Sequence, residues 1–257
     1  MKKLFAVLLI SSVLSAPLAA KAFDTISFGV DGGYPPFDVL APNGEITGFD
    51  IDIANALCTQ LQAKCVFVKQ PFESMIAALN AGKFNAIIAS LNITEERKKE
   101  VDFTDRYYRS AAQLVARKGS PLQPDAQSLK GKTVGVQTGS VHEAYAKKQW
   151  AGNGVKIRSY ANQDNVYLDL MSGRIDASLQ DNIQAGNSFI DTPRGKNFAF
   201  AGPVIRDESI SSEVGIAVAK ANPALRDALN EAIKAIRADG TYDAIQKKYF
   251  SFDIYGE

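Results

Sequence analysis

The residues able to do chemistry are few, and most are charged. Arg97 follows Ala89-Ser90-Leu91-Asn92-Ile93-Thr94-Glu95-Glu96, where Thr94 reads as a helix N-cap with two acids in the first turn. A guanidinium just past a strand-to-helix loop can grip a carboxylate with two parallel hydrogen bonds, and the backbone N–H groups opening a helix at Gly139, Ser140 and Val141 suit the same anion. Asp181 can take an ammonium together with Ser90. Asp31, in the turn Asp31-Gly32-Gly33-Tyr34-Pro35-Pro36-Phe37, has no evident internal partner, so its natural complement is a cation brought by a ligand. Tyr34 and Phe72 can sandwich an aliphatic stem and stack on a guanidinium. These parts would hold a zwitterion with a cationic side chain. Each also has a plainer reading: Arg97 in a solvated patch with Lys98, Lys99 and Glu100, Asp31 as a turn former, Phe72 as core, Asp181 as an N-cap.

The parts for covalent chemistry are missing from the pattern. There is no G-x-S-x-G, no P-loop and no dinucleotide fingerprint. His142 is the single histidine; it could act as a base, but it reads first as a helix-surface residue. Two cysteines and one histidine supply too few soft ligands for a metal, so neither metal nor cofactor is expected.

The elements that must position these residues follow from periodicity and punctuation. Thr25 to Val30 alternates as a strand. Asp50 reads as the cap of a helix in which Ile53, Leu57 and Leu61 share a buried face. Val66-Phe67-Val68 is a strand, Met75, Ile76 and Leu79 line a helix stopped at Gly82, and Phe84 to Ile88 is a short buried strand delivering Ser90 and Asn92 at its C-terminal end. In an open α/β sheet that end is the ligand edge. Strand, helix, strand, helix, strand implies a parallel sheet with right-handed crossovers.

A second such unit follows. Gln113 to Arg117 and Thr133 to Gln137 are strands, Thr138-Gly139-Ser140 leads into a helix, and Val166 to Met171 is a helix ended by Gly173. Gly82-Lys83-Phe84-Asn85-Ala86 and Gly173-Arg174-Ile175-Asp176-Ala177 share one phrase, which predicts one supersecondary unit used twice and hence two lobes. Asp207 to Glu213 is polar and extended, Gly215 to Val218 a strand, Pro223 opens a long helix, and a short one follows Gly240. Phe252 to Glu257 carries no usable pattern.

Residues 1–22 read as a secretory signal peptide: Lys2 and Lys3, an apolar run from Leu4 to Ile10, and a small-residue site with cleavage after Ala22. Of the 29 basic and 28 acidic residues, three lysines and no acids lie there, leaving a formal charge of −2 on 235 residues, which offers no electrostatic case for nucleic acid. In an oxidising compartment Cys58 and Cys65, seven apart, are expected to form a disulfide that acts as a staple.

The phrases Gly48-Phe49-Asp50-Ile51-Asp52, Ser90 to Arg97, Phe103-Thr104-Asp105, Ser128 to Lys132, Gly173 to Ala177 and Ala238-Asp239-Gly240-Thr241-Tyr242 closely resemble the periplasmic lysine/arginine/ornithine- and histidine-binding proteins that feed ATP-binding cassette importers. The resemblance runs over essentially all of the chain after residue 22. It implies an α/β protein with the two-lobe periplasmic binding protein fold of type II, two parallel-type sheets joined by a two-crossing hinge. Lobe one would comprise residues 23–108 and 213–257, lobe two residues 113–212. It implies capture of a cationic amino acid by a monomer that delivers it to a membrane permease, without an enzymatic step; opposite Asp31, arginine is favoured over lysine and ornithine because its planar group can stack between Tyr34 and Phe72 with room at the small Ala89, and the shorter histidine is expected to bind less well. Asp31 would face the ligand's cationic end, with Tyr34 and Phe72 as aromatic walls. Ser90, Asn92, Arg97, Val141 and Asp181 would hold the α-carboxylate and α-ammonium, and Cys58 and Cys65 would match the family's disulfide. Ala89, Asn92, Val141 and His142 depart from the residues usual there, and Ala89 and His142 are expected near the ligand's side-chain end. Two rival readings follow: a receptor for an arginine-derived opine, whose extra carboxylate would need space and a donor near Ala89 and His142, and a lyase on the same fold with His142 or Glu143 as base.

Overall fold

The structure is a computed structural model that describes residues 23–256; the signal peptide expected at 1–22 lies outside the described residues. Two five-stranded sheets form two lobes. In the first, Thr25–Val30 pairs in parallel with Lys64–Lys69 and with Ala86–Ile87, while Glu213–Ala219 runs antiparallel to Ala86–Ile87 and to Val101–Arg109. In the second, Thr133–Gln137 pairs in parallel with Lys156–Tyr160 and Ala177–Asp181, and Ala112–Arg117 runs antiparallel to Ala177–Asp181 and Phe198–Ala201. The parallel reading thus describes three strands of each sheet. The remaining strands are antiparallel because they carry the crossings: Val101–Arg109 runs on into Ala112–Arg117 of the other sheet, and the chain returns into Glu213–Ala219. The two crossings touch where the Ser110 N–H donates to the Ser212 carbonyl at 2.9 Å.

The repeated phrase is also a repeated geometry. Gly82 and Gly173 both take the left-handed conformation, φ 74° and 75°, that closes a helix at little cost for glycine. Three residues on, Asn85 accepts the Ser27 N–H through its side chain and donates its own N–H to the Ser27 carbonyl. Asp176 does the same to Thr133. A short side-chain oxygen at one offset, from Asn85 in one lobe and Asp176 in the other, therefore locks the third strand to the first in both.

Four local expectations change. Only Ala86–Ile87 of the strand expected from Phe84 to Ile88 enters the ladder, although the Ile88 N–H still donates to the Gly29 carbonyl. Tyr34 does not lie in a simple loop: Gly33–Tyr34, Asp38–Leu40 and Ile46–Thr47 make a small antiparallel sheet. Asp50 is not the cap of helix Phe49–Gln60. That place belongs to Gly48, at φ 129°, where a Cβ would stand 2.3 Å from the Phe37 carbonyl oxygen. Lastly, the C-terminal segment is tied down: Ile254 is buried, its carbonyl accepts the Arg109 N–H, and the Tyr255 ring lies under the guanidinium groups of Arg106 and Arg237. These contacts are long-range and leave no period in the sequence.

Apolar packing keeps the loops in place. Ile26, Phe28 and Val30 point to one face of the first sheet, against helices Phe49–Gln60, Pro223–Ala238 and Thr241–Tyr249. Met75, Leu79, Phe84 and Ile87 fill the other face. Cys58, in the last turn of the first helix, is bonded to Cys65 in the adjoining strand, with Cα atoms 5.9 Å apart.

Candidate functional site

The strand ends of both sheets meet at a cleft with about 380 Å³ of atom-free space. On the first-lobe side Asp31, Tyr34, Phe72, Ala89, Ser90 and Asn92 line it; on the other side His142 and Asp181 do. Arg97 and Val141 adjoin these walls without lining the cavity. Sequence reasoning missed Gln137, Ser140 as a side chain, and Gln163, all of which line it. Gln137 ends strand Thr133–Gln137, so the strand-end rule that singled out Asp181 would have found it too.

The turn carrying Asp31 and Tyr34 is built on Asp38. This buried carboxylate accepts the N–H groups of Asp31, Gly32 and Tyr34 at 3.1–3.2 Å. Burial, reinforced by the charges of Asp50 and Asp31, pushes its pKa well above the usual carboxylate range. Asp31 is not without internal partners, contrary to expectation: the Phe72 N–H, the Lys69 charge and the Gln137 side chain of the opposite lobe all favour its ionised form. Burial outweighs them and raises its pKa. A carboxylate kept above its ordinary pKa despite three favourable neighbours still gains from a full cation.

Tyr34 crosses the cleft. Its hydroxyl donates to Asp181 Oδ2 at 2.6 Å, and burial followed by the Asp181 charge pushes the phenol far up. Asp181 ends strand Ala177–Asp181 and occupies the N-cap position of the turn Asn182–Ala185, yet its side chain makes no capping bond. Its Oδ1 is buried and has no hydrogen-bond partner among the described residues. His142 Nε2 stands 3.7 Å from that oxygen. His142 is therefore not a helix-surface residue. Only 6 % exposed, it has its pKa lowered by burial; Asp181 pulls it back up, and Arg97 lowers it further.

Arg97 leaves the solvated patch expected of it. Lys98 and Lys99 are exposed and pair with Glu95 and Glu96, whereas Arg97 turns inward after the Thr94 cap, whose hydroxyl accepts the Arg97 N–H at 3.2 Å. Nη1 donates to the Asn92 carbonyl at 3.0 Å and Nη2 to the Gly139 carbonyl at 3.1 Å, so the guanidinium spans the lobes and lies over the Phe72 ring. Burial lowers its pKa to about 10 against the pull of Asp181. Two of its five N–H groups are thereby engaged and three remain.

Ser90 and Asn92 are less free than expected. The Ser90 N–H and hydroxyl both donate to Asp50 Oδ2, at 2.8 and 3.2 Å, so the hydroxyl can only accept from a ligand. The Asn92 amide donates to the Ser211 carbonyl at 2.9 Å, tying the cleft wall to the returning crossing. Ala89 packs with Met75 and Leu79.

The helix Val141–Gln149 opens with a capping box that Ser140-Val141-His142-Glu143 spells out. The Ser140 hydroxyl accepts the Glu143 N–H at 3.1 Å, and Glu143 Oε2 accepts the Gly139 N–H at 2.7 Å. The Gly139 and Ser140 N–H groups are thus already engaged, the latter with the Gln137 carbonyl. Those of Val141 and His142, in the unsatisfied first turn, are left for an anion. Burial would raise the Glu143 carboxyl, but bonds from Lys147, Ser159 and Gly139 hold it below its ordinary value. Behind this wall the Gln163 amide donates to Gln180, Gln180 donates to the Tyr167 hydroxyl, and Tyr167 donates to Gln184.

Residues 26–252 match the bacterial extracellular solute-binding proteins, family 3. The chain belongs to that family. Among members, the histidine-binding periplasmic protein of Escherichia coli K12 is 44% identical over 261 residues, and the lysine/arginine/ornithine-binding periplasmic protein of the same strain 43% identical over 262; each alignment covers both chains completely. Among solved structures, an ancestral arginine-binding protein bound to arginine superposes with a TM-score of 0.81 at 37% identity, covering 88% of this chain and 98% of that one. An ancestral amino-acid-binding protein described as a precursor of cyclohexadienyl dehydratase gives 0.78 at 31% identity, covering 88% and 96%. The family thus supplies solute binders, and its fold adjoins one dehydratase lineage.

Proposed function

We propose that this protein captures a cationic L-amino acid in the periplasm (arginine, lysine or ornithine, with histidine weaker) and delivers it to the membrane permease of an ATP-binding cassette importer. The observation that carries the reading is the buried, unpartnered Asp181 Oδ1 in a cleft that Asp31 also lines. An α-ammonium would satisfy the first carboxylate and a cationic side chain the second. The three remaining Arg97 N–H groups and the first-turn N–H groups of Val141 and His142 receive the α-carboxylate. Tyr34 and Phe72 flank the aliphatic stem, and Arg97 stacked on Phe72 keeps that ring in place. Because such a ligand touches both lobes, it binds the closed arrangement better than the open one and shifts the population toward closure.

No covalent step is part of this reading. Glu143 is committed to Lys147, Ser159 and Gly139, which removes one candidate base of a lyase; His142, 3.7 Å from Asp181, is the other, and a turnover assay tests it. Isothermal titration at pH 7 tests the proposal. Arginine, lysine and ornithine are expected to bind, glutamate and octopine-like opines not, and incubation with prephenate-like acids is expected to give no turnover. Glutamate binding as tightly as arginine, or an Asp31→Asn variant keeping full arginine affinity, would overturn it.

A further inference from the structure

Asp50 is absent from the cleft wall, yet its side chain accepts two hydrogen bonds from Ser90, which lines it. It sits in the first turn of helix Phe49–Gln60, fully buried, with no role in capping that helix. Oδ2 accepts both the N–H and the hydroxyl of Ser90, and Oδ1 accepts the Tyr107 hydroxyl at 2.9 Å. Ser90 is held at φ 54°, a left-handed conformation uncommon for a residue with a side chain, and it lines the cavity that Asp181 also lines.

We infer that Asp50 is a positioning residue for ligand selection: by taking both protons of Ser90 it holds the left-handed backbone there and leaves the hydroxyl able only to accept, so that this part of the cleft selects an ammonium. The inference rests on the reading that an α-ammonium binds at Asp181. A hydroxyl with a free proton can turn to donate to a carboxylate or a ligand hydroxyl; one whose proton is already committed cannot.

The carboxylate at this position also carries a cost to stability. Burial raises the Asp50 pKa to about 7, only partly offset by the bonds from Tyr107 and Ser90, and its charge in turn destabilises that of Asp38. A neutral side chain of the same shape would escape that cost. A group that burdens the fold while ordering the binding surface is how strain at functional sites presents itself.

Titrating arginine and its 2-hydroxy analogue into the wild type, Asp50→Asn, Asp50→Ala, Ser90→Gly and the double variants at pH 7.5 tests the assignment. Asn keeps one oxygen for Ser90 and loses the charge; Ala loses both. Arginine binding is expected to weaken roughly tenfold with Asp50→Ala and less with Asp50→Asn, while the hydroxy analogue, which brings no ammonium, changes less than about twofold. Glycine adopts the left-handed conformation unaided and has no hydroxyl to orient, so on the Ser90→Gly background the Asp50 substitutions should shift affinity by less than about twofold. The unfolding midpoint of Asp50→Asn, measured in parallel, is expected to equal or exceed that of the wild type. Equal weakening of both ligands, or additive effects of the Asp50 and Ser90 substitutions, would overturn the role of Asp50. Failure of the wild type itself to bind arginine would instead strike the reading on which the inference rests.

Discussion

Beneath the first-lobe edge of the cleft lie two buried carboxylates, Asp38 gathering the N–H groups of the turn that carries Asp31 and Tyr34, and Asp50 gathering the protons of Ser90. Beneath the second-lobe edge, Gln163, Gln180, Tyr167 and Gln184 form a chain of neutral amides and hydroxyls. Both devices satisfy buried polar groups, but with different consequences. Charged acceptors hold donors more tightly and make the brace sensitive to pH; neutral ones hold less tightly and are indifferent to it. The brace beneath the first-lobe edge is therefore charged, whereas the one formed by Gln163, Gln180, Tyr167 and Gln184 is not.

The largest effect is expected at the group that joins the two edges. Arg97→Ala removes the guanidinium that links Asn92 to Gly139 across the cleft and is expected to weaken every α-amino-acid ligand by roughly 2 to 5 kcal/mol, read by titration calorimetry. Arg97→Lys should recover only part of this, because one ammonium cannot reach both carbonyls and a carboxylate at once. Wild-type affinity in either variant would remove Arg97 from the site.

Breaking the Cys58–Cys65 staple should separate stability from binding within the first lobe. In the chain-entropy treatment, closing a loop of seven-residue separation is worth roughly 2.5 kcal/mol, so Cys58→Ser is expected to lower unfolding stability by about that amount and leave ligand affinity unchanged. Loss of affinity at unchanged stability would contradict the staple role.

The charged brace should also reveal itself through pH. Asp50 has its folded pKa raised from 3.8 to about 7, and Asp38 is raised as well, so between those values the folded chain holds protons that the unfolded chain has released. The Asp50 contribution to stability therefore falls as pH rises from about 4 toward 7 and levels off above its folded pKa, at most roughly 1.4 kcal/mol per pH unit, and the Asp38 contribution falls in the same direction. Denaturant unfolding at pH 5 and pH 7.5 should show a smaller decline in Asp50→Asn than in the wild type. An unchanged decline would mean that Asp50 does not titrate as inferred. The smallest effect is expected in the neutral brace: Tyr167→Phe should cost about 1 kcal/mol, equally at both pH values.

Much of the scaffold was written locally. Gly82 and Gly173 closing helices, Thr94 capping the turn before Arg97, Pro223 opening the long C-terminal helix, and the apolar periods between them depend on the φ preferences and hydrogen bonds of residues a few positions apart. The strand-end rule then picked Asp31, Ser90, Arg97 and Asp181 without knowledge of any contact. Even the capping box Ser140-Val141-His142-Glu143 was present in the sequence, and attention to it would have withdrawn the Gly139 N–H from the anion site.

What the tertiary structure alone decided was which partner each polar group takes. An acid beginning a helix is a reasonable cap, yet Asp50 turns to Ser90, 40 residues away, because the helix packs with that carboxylate against the end of another strand. Tyr34 meets Asp181 across 147 residues, Asn92 meets Ser211 across 119, and His142 comes inside because its helix starts at the lobe interface. Such pairings depend on strand register, on the direction of the crossings and on how far the lobes close. These are global quantities, and a hydrogen bond within about 3 Å is made or lost by shifts that no local pattern of residues encodes.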